Sequence, residues 1–422
     1  MPRPMTITEK TLARSAGLEE AAPGQFINAR PDLLMGNDIT APLAIDAFRA
    51  TGAERVFDAQ RLALVPSHWA PPKDVLSAGL VKKMREFARE QDIGLFFELG
   101  RAGIEHVILP EEGLVVPGDV VIGADSHTCT YGGVGAFSTG VGSTDLGCAM
   151  AVGEIWLRVP ETLKFVYSGT RGKYVTGKDL ILHTIGRIGC DGARYQAMEF
   201  TGEVIGSLPM HERLTMCNMT IEAGGKNGIV PPDDITRAYE EGRAQRPPVY
   251  FESDPDAEYA HVCDWDITGM EPVVSFPFLP SNTKPLSEAR GTEVDQVFIG
   301  SCTNARLEDL RIAAGIMRGR TVPPQCRVIV LPGSDRVWRE ADTEGLLGVF
   351  AEAGALVGPA SCGPCLGGHL GVLEAGERCA TTSNRNFRGR MGHRDCLAYL
   401  MNPYLAAATA VTGRICGPDD LD

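Results

Sequence analysis

The stretch DQVFIGSCTNARLEDLRIAAGIM (295–317) decides the fold. A short apolar run, Val297 to Ile299, ends in a break of small and polar residues that carries Cys302. Beyond it Leu307, Leu310, Ala314 and Met317 recur at helical spacing, so the segment reads as strand, loop and amphipathic helix. The same form returns in DVVIGADSHT (119–128), CRVIVLPGS (326–334) and GALVGPASCGPC (354–365). TAPLAIDAFRATG (40–52) supplies a helix, with Thr40 as N-cap, Pro42 in the first turn, Leu43, Ala44, Ala47 and Phe48 on one face, and Gly52 as the stop. Strands alternating with helices imply an α/β fold built on parallel sheet. In such sheets ligands gather at the carboxyl ends of strands, where the loops carrying Asp125-Ser126-His127, Cys302 and Cys362/Cys365 belong.

A chain of 422 residues holds two or three domains. The proline-rich FPFLPSNTKPLSEARG (276–291) is the best linker candidate, with a weaker break near 160–175. Three α/β segments are therefore expected, 1–165, 166–285 and 286–422, the last carrying the loop cysteines. A net charge of −14 argues against nucleic acid or an anionic membrane as partner. Local arginines can still hold a small anion. MPRPMTITEKTLARSAG (1–17) has no signal-peptide core, and its Thr6-x-x-Glu9 box reads as a helix start. No apolar run reaches the roughly 18 residues of a membrane span. Twelve cysteines without a secretory signal read as reduced thiols in a cytoplasmic setting. Cys148, Cys190, Cys263, Cys326, Cys379, Cys396 and Cys416 are expected to be small buried hydrophobes.

Cys302, Cys362 and Cys365 differ from these because they sit in Gly/Ser/Pro-rich loops. A structural zinc site needs four ligands, and His369 could complete a Cys3His set. A redox pair fits poorly, since SCGPCLGG (361–368) is too glycine-rich to open a helix cleanly. An iron–sulfur cluster usually takes four cysteines; with three, one iron keeps an open position and can act as a Lewis acid on substrate. In TSNRNFRGRMG (382–392), Arg385 and Arg390 offer forked donors suited to carboxylates, or form a solvated basic turn. His68, His106 and His127 lie in loops beside Asp125 or glutamates, which suits acid–base work as well as structural pairing. Asn218 and Glu222, four apart, share one side of a helical turn. The glycine-rich YGGVGAFSTGVGSTDLG (131–147) lacks both the GxGxxG fingerprint and a Gly-Lys-Ser/Thr, so tight packing is favoured over phosphate binding.

Six ordered motifs are together similar to the aconitase superfamily, within it the large subunits of the 3-isopropylmalate dehydratase and homoaconitase type. They are LVVPGDVVIGADSHTCTYGGVGAFSTGVGSTDLG (114–147), IGRIGCDGARYQAMEFTGE (185–203), CNMTIEAGGKNGI (217–229), IGSCTNARLEDLR (299–311), GPASCGPCLGGHLGVLEAGE (358–377) and TSNRNFRGRMG (382–392). The resemblance spans nearly the whole chain. It implies three α/β domains around a [4Fe-4S] cluster held by Cys302, Cys362 and Cys365, supported by Asn384 and Asn218. It implies that Arg385, Arg390, Asn37 and Ser126 bind a 2-hydroxy diacid. His68, His106 and His127 would move protons, with Asp125 and Glu222 as carboxylate partners favouring the imidazolium. The family's general base is a serine on a swivel domain that no segment here resembles, which implies a separate small subunit in a heterodimer or heterotetramer. The implied activity is a hydro-lyase or isomerase of a substituted malate. A non-catalytic iron–sulfur sensor is the alternative of a different class.

Three positions depart from the family pattern. Ser67-His68 stands where Asp-His is usual, Asn37-Asp38 where His-Asp or Gln-Asp is usual, and His106-Val107, in GRAGIEHV (100–107), where His-Gln is usual. A serine can orient His68 but cannot stabilise its charge. All three changes are expected in pocket loops, which suggests the same chemistry on another malate, of dimethylmalate, homocitrate or phosphonate type.

Overall fold

The computed structural model describes residues 3–421. Contacts divide it into two compact units. The first comprises Met1–Glu98, Ile108–Thr170 and Asp191–Ile267; the second comprises Leu99–Val107, Arg171–Cys190 and Thr268–Asp422.

The first unit holds two four-stranded parallel sheets. One runs in the order Leu62–Val65, Leu33–Asn37, Val120–Gly123, Phe137–Gly140. Every residue of its inner strands is buried, as expected where helices cover both faces of a parallel sheet. Against it packs the helix Ala41–Ala50 through Ala44, Ile45 and Phe48, whose ring meets Phe87 edge-on at 5.5 Å. Leu43 is exposed and Thr40 makes no side-chain cap, so the buried stripe is turned by one position from the expected one. The capping box of Thr6 and Glu9 does form and opens the helix Ile7–Ala16. The other sheet runs His261–Asp266, Thr162–Ser168, Ala197–Thr201, Asn227–Ile229. An antiparallel ribbon pairs Phe26–Ala29 with Ile155–Arg158.

The second unit is built on a seven-stranded sheet. Its parallel part runs Leu397–Leu400, Arg378–Thr381, Gln296–Ile299, Arg327–Val330, Leu356–Val357. Val273–Ser275 pairs antiparallel with Leu397–Leu400 at Ser275 and on its other side with Thr283–Pro285, which forms the edge. Residues 276–291, expected as a linker, thus belong to this unit: they connect Val273–Ser275 to the edge strand Thr283–Pro285 and open the short helix Leu286–Ala289. Of their prolines, Pro285 sits in that edge strand, where an N–H need not be donated. The helix Leu307–Met317 covers the sheet with Leu310, Ala313, Ala314 and Met317.

One further expectation changes and another holds. Cys148 is exposed, and Cys190 and Cys263 are half-buried; the other four of that set are buried. In the glycine-rich segment a Cβ at Gly132 would run into the Gly228 carbonyl, and one at Gly133 would come within 2.8 Å of the Leu214 backbone. Close packing therefore accounts for those glycines. Among the described residues no helix is long and apolar enough to cross a membrane.

Candidate active site

Because the strands are parallel, the loops that leave their carboxyl ends share one edge of each sheet. In the first unit Asn37 ends its strand, Ser67-His68 follow Leu62–Val65, and Asp125 to His127 follow Val120–Gly123. In the second unit the loops after Gln296–Ile299, Leu356–Val357 and Arg378–Thr381 carry Cys302, Cys362/Cys365 and Asn384 to Arg390. His106 belongs to this unit, held by the chain around it: Ile104 N donates to Gly333 O at 2.8 Å and Ala102 N to Asp335 Oδ2 at 2.8 Å.

The three loop thiols of the second unit, its thiol cradle, are all buried, and two of them share a partner. Cys302, Cys362 and Cys365 are 5%, 6% and 5% exposed, and all are free thiols. Asn384 touches two of them, with Nδ2 donating to Cys302 Sγ at 3.1 Å and Oδ1 3.7 Å from Cys365 Sγ. Ser301 Oγ lies 3.5 Å from Cys365 Sγ, and Arg390 Nη2 approaches it at 3.9 Å. One side chain thus touches two sulfurs, its amide N–H donating to Cys302 and its amide oxygen accepting from Cys365, which fixes them relative to one another. Two backbone features hold the loops in place. Ser301 sits at φ +74°, a conformation costing a non-glycine residue about 1–3 kcal/mol, as is common at functional sites. Gly363, at φ +56° between the two loop cysteines, has no room for a Cβ because Leu331 fills that space. These residues fit an iron–sulfur cluster held by three thiolates. His369, the candidate fourth ligand of a zinc set, is turned to Ser361 Oγ at 3.4 Å.

Beside the thiols, Arg385 and Arg390 are half-buried. The Nε of Arg390 is buried and has no hydrogen-bond partner among the described residues. An orphaned guanidinium donor in a closed site is costly unless an anion completes it, which favours a carboxylate ligand. Arg306 joins His106 to the cradle, its guanidinium reaching His106 O at 3.2 Å, Cys302 O at 3.2 Å and Thr303 O at 3.1 Å. His106 Nε2 lies 3.7 Å from Glu105 Oε1.

In the first unit the other two histidines are each met by carboxylate. His127 Nε2 is 3.0 Å from Glu222 Oε1, and Nδ1 is 3.5 Å from Asp125 Oδ1. Both ring nitrogens thus face carboxylate oxygens. Asn37 fixes Asp125 through Nδ2 to Oδ2 at 3.2 Å, while its own Oδ1 accepts from Ile39 N and Thr40 N. Asn218 donates to Thr130 Oγ1 at 2.7 Å, which locks the short helix Ser126–Val134. Asp125 and Ser126 also line a cleft of about 430 Å³, together with Trp156, Tyr195 and Lys226.

The departures look different once folded. Ser67 Oγ is 2.8 Å from His68 Nδ1, but Asp38 Oδ1 is only 3.3 Å from the same nitrogen. The Asp38 carboxylate is aimed by the backbone N–H groups of His68 at 3.0 Å and Trp69 at 2.6 Å. His68 therefore keeps an anionic partner, which corrects the expectation drawn from Ser67 alone. Val107 is 2% exposed and packs in the apolar core with Ile104, Ala305 and Leu310. It is a packing residue, and the substrate argument it suggested loses its footing.

Sequence reasoning passed over Asp38, Ser301, Arg306 and Lys178. Ser301 and Arg306 lie inside the quoted cysteine motif and could have been weighed with it. Asp38 and Lys178 gave no local signal, because their partners come from distant parts of the chain.

The comparisons agree on kinship. The family described as Aconitase family (aconitate hydratase) matches residues 7–291 and 284–413. The 3-isopropylmalate dehydratase large subunit of Desulfatibacillum aliphaticivorans is 58% identical over 417 residues, 99% of this chain and 100% of the relative. That of Moorella thermoacetica is 58% identical over 417 residues, and large subunit 1 of Pyrococcus furiosus is 56% identical over 419, each covering 99% of both chains. In fold the chain is similar to aconitase X of Thermococcus kodakaraensis, with a TM-score of 0.50 at 16% identity over 85% of this chain and 84% of that one. The chain belongs to the aconitase family.

Proposed function

We propose that the chain is the cluster-carrying large subunit of a hydro-lyase that removes and re-adds water on 3-isopropylmalate. The observation that carries this reading is Asn384 joining the Cys302 and Cys365 sulfurs beside the unpartnered Nε of Arg390. It combines a three-thiolate iron site with a receptor for carboxylate, which dehydration of a hydroxy acid requires. A [4Fe-4S] cluster held by Cys302, Cys362 and Cys365 would supply one iron with an open position as Lewis acid.

The chain's own residues supply the rest of the chemistry. Arg385 and Arg390 bind a substrate carboxylate and set its orientation. Asn384 and Ser301 donate to the thiolates and keep their geometry. His127, bracketed by Glu222 and Asp125, gives a proton to the departing hydroxyl and recovers it on re-addition. His68 and His106 hold or relay protons, and Ser126 and Asn37 complete the polar wall of the first unit. Asn218 acts one step removed, by fixing the helix that carries His127. The base that takes the carbon-bound proton is assigned to a small subunit, in keeping with relatives that are themselves named large subunits. A soluble cytoplasmic location, with no role for nucleic acid or membrane, is part of the same reading.

The test is anaerobic reconstitution with iron and sulfide together with the small subunit. Ultraviolet absorbance should then rise as 3-isopropylmalate is converted to the conjugated ene-diacid. A fully loaded pair that leaves 3-isopropylmalate unchanged overturns the substrate assignment.

A further inference from the structure

Lys178 is the second residue of the helix Gly177–Ile188 and is completely buried. Its ammonium donates to Ser383 O at 2.6 Å, to Thr382 O at 2.8 Å and to Asn304 Oδ1 at 3.5 Å. The first two belong to the loop that presents Asn384, and the third to the loop that presents Cys302. All three acceptors are neutral, and among the described residues no carboxylate forms an ion pair with it. Burying a full charge against neutral acceptors costs several kcal/mol unless a counter-charge is near. Burial pushes the ammonium down to about 7, and the negative charge of Cys302 and Cys365, then of Asp309 and Asp179, opposes that shift only in part.

We propose that Lys178 is a positioning residue for the iron–sulfur site, whose buried amino group ties the Cys302 loop to the Asn384 loop and brings positive charge to the junction of the two. This rests on the cluster reading given above. A plain structural staple would need the three hydrogen bonds but no particular charge. A counter-charge changes two further properties: how tightly the thiolates hold iron, and how readily the cluster accepts an electron. Loss of a positive charge makes the added electron less welcome, so the reduction potential must become more negative.

The experiment compares wild type with Lys178→Gln and Lys178→Met, each reconstituted anaerobically. Three quantities are read: thermal midpoint of the apo chain, loss of cluster absorbance under chelator competition, and reduction potential by titration followed with electron paramagnetic resonance. Both variants should fold as apo protein, lose cluster about tenfold or more readily, and show a more negative potential, as expected for groups that support metal ligands. Gln, which keeps hydrogen-bonding capacity, should share the shift in potential with Met. Folded variants that match wild type in both cluster retention and potential overturn the proposal. Apo variants that fail to fold also overturn it, by showing the staple role to be sufficient. A wild-type chain that takes up no cluster defeats the cluster reading itself, a result separable from the other two because the variants play no part in it.

Discussion

The cysteine cradle of the second unit and the histidine loops of the first solve the same problem by different means. In the cradle, part of the support is local, with Ser301 and Arg306 flanking Cys302, while Asn384 reaches Cys302 across 82 residues and Cys365 across 19. In the histidine loops each ring is completed from far away, His127 by Glu222 and His68 by Asp38. On the proposed reading the cradle would have to hold three sulfurs within the narrow tolerance of an inorganic cluster, a task suited to short loops such as the one strained at Ser301. An imidazole needs only one well-aimed carboxylate, and many chain positions can provide it.

The largest effect tests the cradle. Cys365→Ser should abolish the cluster chromophore on reconstitution, because an alkoxide is a poor substitute for a soft thiolate; retained absorbance would break the ligand assignment. Next comes the guanidinium beside it. Arg390→Lys should leave the chromophore intact and lower kcat/KM about 10–100-fold, the worth of one or two charge-assisted hydrogen bonds. Steady-state kinetics on loaded protein check this.

Smaller effects are expected in the histidine loops. Asp38→Asn should lower kcat about tenfold with the chromophore unchanged, as for loss of a residue that orients a catalytic group, whereas Ser67→Ala should cost less. The reverse ranking would mean that Ser67, and not Asp38, sets His68. Ser67→Asp would restore the family's dipeptide but place a second carboxylate against Asp38 in a buried spot. It should cost about 1–3 kcal/mol of stability, measured by denaturant unfolding.

The smallest effect concerns charge buried in the first unit away from its histidines. Glu240 is buried, neither of its carboxylate oxygens has a hydrogen-bond partner among the described residues, and burial with Asp119 nearby raises its pKa from 4.5 to about 7. A raised carboxylate is bound to its proton more tightly when folded, so stability is full at low pH and falls as pH rises from about 4.5 to about 7. Glu240→Gln should therefore stabilise the chain at pH 8 by about 1–3 kcal/mol and do little at pH 4. Thermal midpoints at the two pH values check the sign.

Much was legible before folding. The strand–loop–helix rhythm around 295–317 gave the fold class because side-chain periodicity and glycine breaks are local properties. The three loop thiols were separable from the other cysteines by composition alone. Less legible was burial at single positions: Leu43 and Cys148 proved exposed, since which turn of a helix faces the core depends on what packs there. The three departures shared one functional reading in sequence. The structure gives each a different meaning: Ser67 is backed by Asp38, Asn37 anchors Asp125, and Val107 fills an apolar core.

By itself the sequence determined the α/β class and singled out the loop cysteines and the arginine turn as candidates, each carried by a contiguous motif with its own local physics. Tertiary structure alone decided that Asp38 serves His68 and that Lys178 lies under the cradle. Both are charged groups whose partners lie tens or hundreds of residues away, and electrostatic pairing depends on distance in space, which the order of residues does not record.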